Sequence, residues 1–374
     1  MKQIVISGTG VFTPEESITN QELVKAYNSY AETYNLAYKD DINQGNKVQL
    51  ELSNEEFIFN ASGIKNRFVM DKKGILDPSI MHPILKKRSN DEPSILAEMA
   101  LKAAKAAMES AGKSANDIDA VITACSNLER AYPAISIEVQ ALLGIKGFAF
   151  DMNVACSSAT FAVQTASDMI RSGSAKTILI VDPEICSGHL DFKDRDCHFI
   201  FGDVCTAIIL ESKETAQSKN SFEILSTKCI TQFSNNIRNN FGFLNYAKRA
   251  SHLDRDLLFM QEGRKVFKEV VPMVSQLILD HLSQEKIKID DIKRLWLHQA
   301  NKSMNDLIGK KVLGRVPEAH EQPNVLQDYA NTSSAGSIIA FSLYSEDMKK
   351  GEIGVLCSFG AGYSVGSVIL RKTG

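Results

Sequence analysis

The sequence lacks the features that would tie it to a membrane or to nucleic acid. It has no uninterrupted apolar run of the roughly 18 residues that a membrane-spanning helix needs, and its formal net charge is only −3. Such a small charge excludes a protein that grips nucleic acid with its whole surface, but it leaves a local basic patch for an acidic partner open. Residues 1–8 carry one lysine and a short apolar run, which predicts a first strand rather than a signal peptide. We therefore expect a cytoplasmic protein with no membrane insertion and no nucleic-acid partner.

Paired cysteines are also missing. The seven cysteines are odd in number and scattered, with no C-x-x-C pair and no histidine at the spacing of a zinc site. A disulfide framework and a structural metal are therefore not expected. We predict reduced thiols in a reducing compartment, and no metal site.

What the chain does have is enough apolar mass for a large core, with 374 residues of which 44% are hydrophobic. Short apolar runs bounded by turn residues alternate with longer helical patterns, which predicts an α/β protein. The clearest predicted strands are 4–7, 120–124, 148–152, 177–181, 207–210, 295–297, 354–357 and 366–370. The predicted helices include 95–111, 156–170, 264–282 and 333–348.

Two parts of the sequence echo each other. A helix that leads to Asp117-Ile118-Asp119 and an apolar strand recurs as a helix that leads to Asp291-Ile292-Lys293 and a second strand. This predicts two related halves, 1–215 and 216–374, joined by a polar linker. Residues 27–53 and 71–93 do not fit the rhythm, because they are polar or rich in proline, and we expect both to be long surface excursions.

Cys156 is the first candidate for chemistry. It follows an apolar strand and opens a segment of small residues that is typical of a helix buried on nearly all faces. A thiol at the start of such a helix is close to the positive end of the helix dipole, which favours the thiolate. We therefore expect a nucleophile, although a lone buried cysteine is more often a small hydrophobe.

Three later features add to this candidate. His298 ends an apolar strand, where a parallel sheet delivers residues to a ligand crevice. Asn331 opens a second helix of small residues, a position at which it could also be an ordinary cap. The turn Phe359-Gly360-Ala361-Gly362 follows a buried strand, and its backbone N–H groups could face an oxyanion.

The order of these motifs resembles the β-ketoacyl-acyl-carrier-protein synthase III family of the thiolase superfamily. The residues that carry the resemblance are, in order, Asn153-Val154-Ala155-Cys156-Ser157-Ser158, Phe201-Gly202-Asp203, His298-Gln299-Ala300-Asn301, Asn331-Thr332-Ser333-Ser334 and Phe359-Gly360-Ala361-Gly362. Nearly the whole chain takes part, apart from the two excursions.

The resemblance implies a five-layered αβαβα fold of two duplicated halves and a homodimer. It also implies an acyltransferase that performs a decarboxylative Claisen condensation of an acyl thioester with malonyl-acyl carrier protein. Cys156 would carry the acyl group, His298 and Asn331 would stabilise the enolate, and the N–H groups of Cys156 and Ala361 would form an oxyanion hole. Coenzyme A or phosphopantetheine thioesters are then substrates, and no tightly bound cofactor is expected.

Peripheral roles follow from the same resemblance. Phe57 and Arg195 match the pair that sandwiches the adenine of coenzyme A, whereas Ala61 and Ser303 stand where relatives often carry arginines. The resemblance assigns Lys268, Lys310 and Lys311 to docking of the acyl carrier protein. Tyr132 matches an aromatic residue that closes the partner's acyl tunnel across the dimer interface.

Other readings stay open at this point. Asn331 disfavours elongating ketosynthases, which use a second histidine there, and Ser358 disfavours degradative thiolases, which use a cysteine. A type III polyketide synthase or a specialised starter-condensing ketosynthase is the second candidate, and a catalytically silent acyl-binding partner is a third. Because the channel mouth carries added loops and lacks two arginines, we also expect a medium or long acyl donor to be preferred over acetyl-coenzyme A.

Overall fold

The computed structural model describes residues 2–242 and 255–374. The strands in these residues are β1 (Ile4–Phe12), β2 (Glu16–Thr19), β3 (Asn66–Val69), β4 (Ala120–Ala124), β5 (Phe148–Met152), β6 (Thr177–Ile185), β7 (Asp203–Ser212), β8 (Phe222–Ser234), β9 (Ile237–Arg238), β10 (Met260–Gln261), β11 (Ile292–Leu297), β12 (Ile353–Gly360) and β13 (Gly362–Lys372). The helices are α1 (Asn20–Ala37), α2 (Lys39–Asn43), α3 (Glu55–Ser62), α4 (Lys72–Leu76), α5 (Ile95–Ala111), α6 (Ile135–Leu143), α7 (Ser158–Ser172), α8 (Gly263–Gln284), α9 (Lys302–Leu313), α10 (Leu326–Tyr329) and α11 (Gly336–Leu343).

Nine of the described strands form one mixed sheet in the order β11-β12-β13-β8-β1-β7-β6-β4-β5. From β1 outward, β7 and β6 are added antiparallel and β4 is added parallel. From β8 outward, β13 and β12 are added antiparallel and β11 is added parallel, so the second series repeats the first. The series meet through two residue pairs between β1 and β8. The predicted boundary near residue 215 falls between β7 and β8, and it stays a prediction.

Helices separate and cover the two series of strands in five layers. One outer core is built from α5 and α6 against β4, β6 and β7. The other outer core is built from α8 and α9 against β11, β12 and β13. Between the two series lies a third core, to which α7 and α11 contribute most of the helical residues. This arrangement confirms the expected αβαβα fold.

Close contact between elements depends on small residues. A Cβ added at Gly8 on β1 would lie 2.4 Å from the Ala107 carbonyl oxygen of α5, so only glycine lets the helix pack this closely.

In the middle layer, the buried Trp296 of β11 packs edge-to-face against Phe222 and Phe341, with ring centroids 5.9 and 4.9 Å away. The Trp296 indole N–H donates to the Tyr344 carbonyl oxygen at 2.9 Å, so its one polar group is satisfied.

The two expected excursions are more structured than their composition suggested. Residues 27–37 continue α1, whose inner face buries Tyr27 and Ala31. Residues 71–93 include α4, and they bury Ile75 and Met81 in the same hydrophobic cluster as Tyr27 and Ala31. Only residues 84–91 project as a surface segment. Strand β8 was not predicted, because polar residues interrupt its apolar pattern. No helix in the described ranges is long and apolar enough to cross a membrane.

Candidate active site

Cys156 lies in the loop that enters the central helix. The helix α7 begins at Ser158, two residues later than predicted, and Ser157 occupies the N-cap position. Ala155 has a φ of 47°, in the left-handed region that non-glycine residues rarely adopt. Backbone strain of this kind persists where the surrounding structure requires it, and here it turns the cysteine toward the β12–β13 turn.

The β12–β13 turn touches the cysteine directly. A Cβ added at Gly360 would lie 2.5 Å from the Cβ of Cys156 and 2.9 Å from its Sγ, so glycine is required for this approach. The backbone of Ala361 hydrogen-bonds to the thiol and lowers its pKa. The N–H of Ala361 is therefore close to the sulfur, where an oxyanion donor must lie.

Ser333 joins the cysteine to the other two predicted catalytic residues. Its hydroxyl donates to Cys156 Sγ at 3.5 Å, and its backbone N–H donates to Asn331 Oδ1 at 2.9 Å. The ring of His298 also hydrogen-bonds to the Ser333 backbone. Ser333 itself has a φ of 50°, so a second strained residue shapes the site. The structure thus brings Cys156, His298 and Asn331 around one serine.

His298 is held in a nearly dry position at the end of β11. Its side chain packs edge-on against Phe359, with ring centroids 5.2 Å apart, and the residue is only 2% exposed. Burial lowers the pKa of His298 to about 4, so the imidazole is neutral at neutral pH. Its Nδ1 has no hydrogen-bond partner among the described residues. A neutral imidazole carries a single N–H, so His298 can donate to a developing oxyanion when this N–H turns from the Ser333 carbonyl oxygen to the substrate.

The state of the thiol differs from the expectation. Burial raises the pKa of Cys156 to about 11, and this outweighs the hydrogen bonds from Ser333 and Ala361, which lower it. The start of α7 does not by itself produce a thiolate, because the helix begins beyond the cysteine and the site is poorly solvated. A proton acceptor is therefore needed when the thiol reacts.

Two buried carboxyl groups lie behind the cysteine on β6. Glu184 accepts from the Ser126 N–H at 2.9 Å and from the Ser126 hydroxyl at 2.5 Å. Asp182 accepts from the Ser334 hydroxyl at 3.0 Å. Burial raises the pKa of both groups, that of Glu184 to about 7, and repulsion from Glu184 raises the pKa of Asp182 further. Sequence reasoning missed these residues, although two acidic residues within the apolar run 177–185 were a signal for them.

The peripheral candidates lie on the surface around the site. The Arg195 guanidinium stacks on the Phe57 ring, 4.0 Å from its centroid, and its Nε donates to the Leu52 carbonyl oxygen at 2.9 Å. Ala61 is exposed at the end of α3, and its carbonyl oxygen accepts from Asn301 Nδ2 at 2.6 Å. Tyr132 is 79% exposed. The exposed remainder are Ser303, Lys268, Lys310 and Lys311.

The fold and the site together define a ketosynthase of the thiolase superfamily. The chain matches the family models described as 3-oxoacyl-[acyl-carrier-protein] synthase III over residues 150–232 and its C-terminal part over residues 282–372. It is 59% identical to the β-ketodecanoyl-[acyl-carrier-protein] synthase of Pseudomonas aeruginosa, over 93% of this chain and 100% of the relative. It is 34% identical to the β-ketoacyl-[acyl-carrier-protein] synthase III of Mesorhizobium japonicum, over 72% of this chain and 82% of the relative.

A solved structure agrees with these sequence relatives. The crystal structure of 3-oxoacyl-[acyl-carrier-protein] synthase III from Aquifex aeolicus is similar over 98% of this chain and 99% of that chain, with 25% identity and a TM-score of 0.76. The chain belongs to the β-ketoacyl-acyl-carrier-protein synthase III family. It is an acyltransferase that condenses an acyl thioester with malonyl-acyl carrier protein in a decarboxylative Claisen reaction.

Proposed function

We propose that Cys156 carries the acyl group and that His298 and Asn331 stabilise the enolate of the malonyl unit. The observation that carries this division is the meeting of all three residues at Ser333. The thiol lies against the β12–β13 turn, whereas His298 and Asn331 bond to Ser333 and not to the sulfur. Each half-reaction therefore has its own set of groups.

In the first half-reaction, the sulfur of Cys156 attacks the thioester carbonyl of the donor. The N–H groups of Cys156 and Ala361 hold the oxyanion of the tetrahedral intermediate, and the donor thiol leaves. The close approach of Gly360 to the sulfur supports this assignment, because it brings the turn within reach of the reacting carbonyl.

In the second half-reaction, malonyl-acyl carrier protein loses carbon dioxide and the resulting carbanion attacks the acyl carbon of the acyl-enzyme. The bond from that carbon to the Cys156 sulfur then breaks, which frees the cysteine and releases the 3-oxoacyl product. His298 and Asn331 donate hydrogen bonds to the thioester oxygen as negative charge develops there. The low pKa of His298 supports a neutral donor. The side-chain Oδ1 of Asn331 is held by the Ser333 N–H, which leaves the amide Nδ2 to point at substrate.

We further propose that the donor is a medium-chain acyl thioester of eight carbons. The relative that is 59% identical is named for a ten-carbon β-keto product, and a condensation of this type adds two carbons to its donor. The predicted preference for a longer donor agrees with this length. Each buried methylene contributes about 0.8 kcal/mol, so an eight-carbon chain can compensate for missing contacts to the adenosine phosphates.

The test measures acylation of Cys156 by intact-protein mass spectrometry, with acyl-coenzyme A donors from two to twelve carbons. We expect the highest rate at eight carbons and a marked loss at two. Cys156→Ala should show no adduct. Labelling of this variant at the wild-type level would falsify the assignment of the nucleophile and favour an acyl-binding protein that does not turn over. A maximum at acetyl-coenzyme A would contradict the donor length alone.

Phe57 and Arg195 are proposed to hold the adenine of the coenzyme A donor. They already stack on each other, and an adenine ring could be inserted between them if Arg195 shifts outward. The ion pair of Arg195 with Glu51, at 3.7 Å, would move with it. Lys268, Lys310 and Lys311 are exposed on α8 and α9 and are proposed to attract the acidic carrier protein.

A homodimer and a cytoplasmic location are also part of the proposal. Strand β5 ends the sheet, and apolar side chains are exposed on it and on the neighbouring α6 and its preceding loop: Tyr132, Ile137, Leu142 and Phe148. An exposed edge strand flanked by apolar residues supports pairing with a second copy. The seven cysteines are free thiols, which supports a reducing compartment.

A further inference from the structure

The carboxyl pair on β6 is linked to the nucleophile through a hydroxyl group. Ser333 Oγ is 3.5 Å from Cys156 Sγ, and the same side chain hydrogen-bonds to Glu184. Glu184 in turn hydrogen-bonds to Asp182. Cys156, Ser333, Glu184 and Asp182 therefore form one continuous chain of polar groups that runs from the reactive sulfur into the buried sheet.

One oxygen atom of the buried carboxyl pair lacks a hydrogen-bond partner among the described residues. Asp182 and Glu184 are almost completely buried, and Asp182 Oδ1 has no hydrogen-bond partner among the described residues. Two neighbouring carboxylates cannot both be ionised in such a site, so one proton is shared between them. The pair thus carries one negative charge and can accept one more proton.

We propose that Glu184 accepts the proton of the Cys156 thiol during acyl loading, with the Ser333 hydroxyl as the connecting group. This inference rests on the proposed role of Cys156 as the acyl carrier. Ser333 is then a catalytic residue, since it touches the reacting sulfur. Glu184 acts through Ser333, and Asp182 positions Glu184.

The proton transfer balances over the half-reaction. The Ser333 hydroxyl first rotates so that its O–H donates to Glu184 instead of to Cys156 Sγ. The S–H bond of Cys156 then breaks as its proton moves to Ser333 Oγ, and the former hydroxyl proton of Ser333 moves to the Glu184 carboxylate. The sulfur forms a bond to the acyl carbon, and the donor thiolate leaves. The proton then returns from Glu184 through Ser333 to the leaving thiolate, so the carboxylate is regenerated.

The alternative acceptor, His298, suits this step less well. A general base works best when its pKa is close to the working pH. Burial lowers the pKa of His298 to about 4 and raises that of Glu184 to about 7. The titratable groups that face Glu184 are the Asp182 carboxyl and the thiols of Cys125, Cys156, Cys186 and Cys205. All four thiols have a raised pKa, which leaves them neutral at pH 7.

The test follows single-turnover acylation of Cys156 by octanoyl-coenzyme A between pH 5 and pH 9, in quenched-flow mass spectrometry. Glu184 accepts a proton only when ionised, so the wild-type rate should fall as the pH drops through about 7. Glu184→Gln should remove this inflection and lower the rate at pH 7.5 by roughly 10²- to 10⁴-fold, the range for loss of a general base. Glu184→Asp should restore part of the pH-dependent limb.

Ser333→Ala tests the connecting group. Alanine has the same Cβ, and the contacts of Asn331 and His298 are to the Ser333 backbone, so acylation of Cys156 should fall more than decarboxylation of malonyl-acyl carrier protein does. Acylation should fall as in Glu184→Gln. The matched control is Asp203→Asn, since Asp203 is a buried carboxyl on β7 that accepts from Ser187 and Met70 instead.

Three outcomes separate the proposals. If the wild-type protein takes no acyl group from any donor, the proposed function fails. If wild type is acylated and both Glu184→Gln and Ser333→Ala keep its rate and pH profile, the relay is overturned while Cys156 keeps its role. An equal loss in Asp203→Asn would overturn it too, because a general structural effect would then explain the result. If Glu184→Gln does not fold, the Ser333→Ala and Glu184→Asp profiles decide.

Discussion

Strands β6 and β12 occupy equivalent places in the two series of the sheet, but they end differently. Each is parallel to one neighbour and antiparallel to the other, and each is buried along most of its length. β6 carries Asp182-Pro183-Glu184 just before its last residue, whereas β12 ends in Ser358-Phe359-Gly360. β6 places the Asp182 and Glu184 carboxyl groups behind Cys156 Sγ, and β12 places the backbone of Gly360 against the same sulfur. Two strands in equivalent positions can therefore supply different groups to one reaction site: carboxyl groups from β6 and a closely packed backbone from β12.

The largest expected effect is on decarboxylation, in variants of His298 and Asn331. His298→Ala and Asn331→Ala should each lower the decarboxylation of malonyl-acyl carrier protein by roughly 10²- to 10³-fold, the scale for loss of one oxyanion donor. Acyl loading should change far less, because neither residue bonds to the sulfur. The measurement is release of carbon dioxide alongside acylation of Cys156.

His281→Ala is the control for this pair. His281 is also buried, and burial lowers its pKa to about 4, but it bonds to Ser367 and Ser226 away from the site. It should lower the melting temperature without a selective loss of decarboxylation. An equal loss of both half-reactions in His298→Ala would instead make the histidine a base for the thiol.

The close approach of β12 can be broken by one methyl group. Gly360→Ala would place a Cβ 2.5 Å from the Cβ of Cys156, so the turn must move. Overpacking of this kind costs about 1–3 kcal/mol of unfolding free energy, and we expect acyl loading to fall at least tenfold. Chemical denaturation and acylation rates test this. At Gly263 no described atom lies within 4 Å of an added Cβ, so Gly263→Ala should leave both unchanged.

The donor clamp should give a smaller effect. Phe57→Ala removes a cation–π partner worth roughly 0.5–2 kcal/mol, so the KM for acyl-coenzyme A should rise about 2- to 30-fold. The KM for malonyl-acyl carrier protein should not change. Phe59→Ala is matched on the same helix, where the ring is 41% exposed and faces Lys65. A similar rise in both variants would remove Phe57 from the coenzyme A site.

The surface lysines should have the weakest influence of all. Reversing Lys268, Lys310 and Lys311 to glutamate should raise the KM for malonyl-acyl carrier protein several-fold and flatten its dependence on salt. Self-acylation by a small thioester should not respond. Reversal of Lys349 and Lys350, exposed at the turn before β12, serves as the control. Equal responses of the two sets would argue for a general charge effect instead of a docking patch.

Local patterns in the sequence predict much of the frame. The predicted bounds of α5, β4 and β5 agree with the structure, because a periodic apolar pattern that ends at Gly112 marks α5 and short apolar runs mark the two strands. β8 escaped prediction because seven of its thirteen residues are only partly buried and polar residues interrupt its apolar pattern. The beginning of α7 was placed two residues early, because nothing in the sequence announces the left-handed turn at Ala155.

The candidate site is also only partly predictable from the sequence. Cys156, His298 and Asn331 could be proposed from the order of their motifs, but the role of Ser333 could not. Its contact with the sulfur depends on a positive φ and on the meeting of two distant parts of the chain. The raised pKa of the thiol also needs the structure, because burial in three dimensions decides it and the helix start alone suggested the reverse.

The position of Trp296 has a practical consequence for every experiment above. It is the single tryptophan in the sequence, and it lies buried in the middle layer between two phenylalanine rings. Its fluorescence emission therefore reports on the interior where the two series of strands face each other, with no other indole to dilute the signal. A red shift in a variant would reveal that water has entered this layer. A variant that loses activity but keeps an unshifted spectrum has kept this layer packed, so its loss is due to a change in the reaction chemistry.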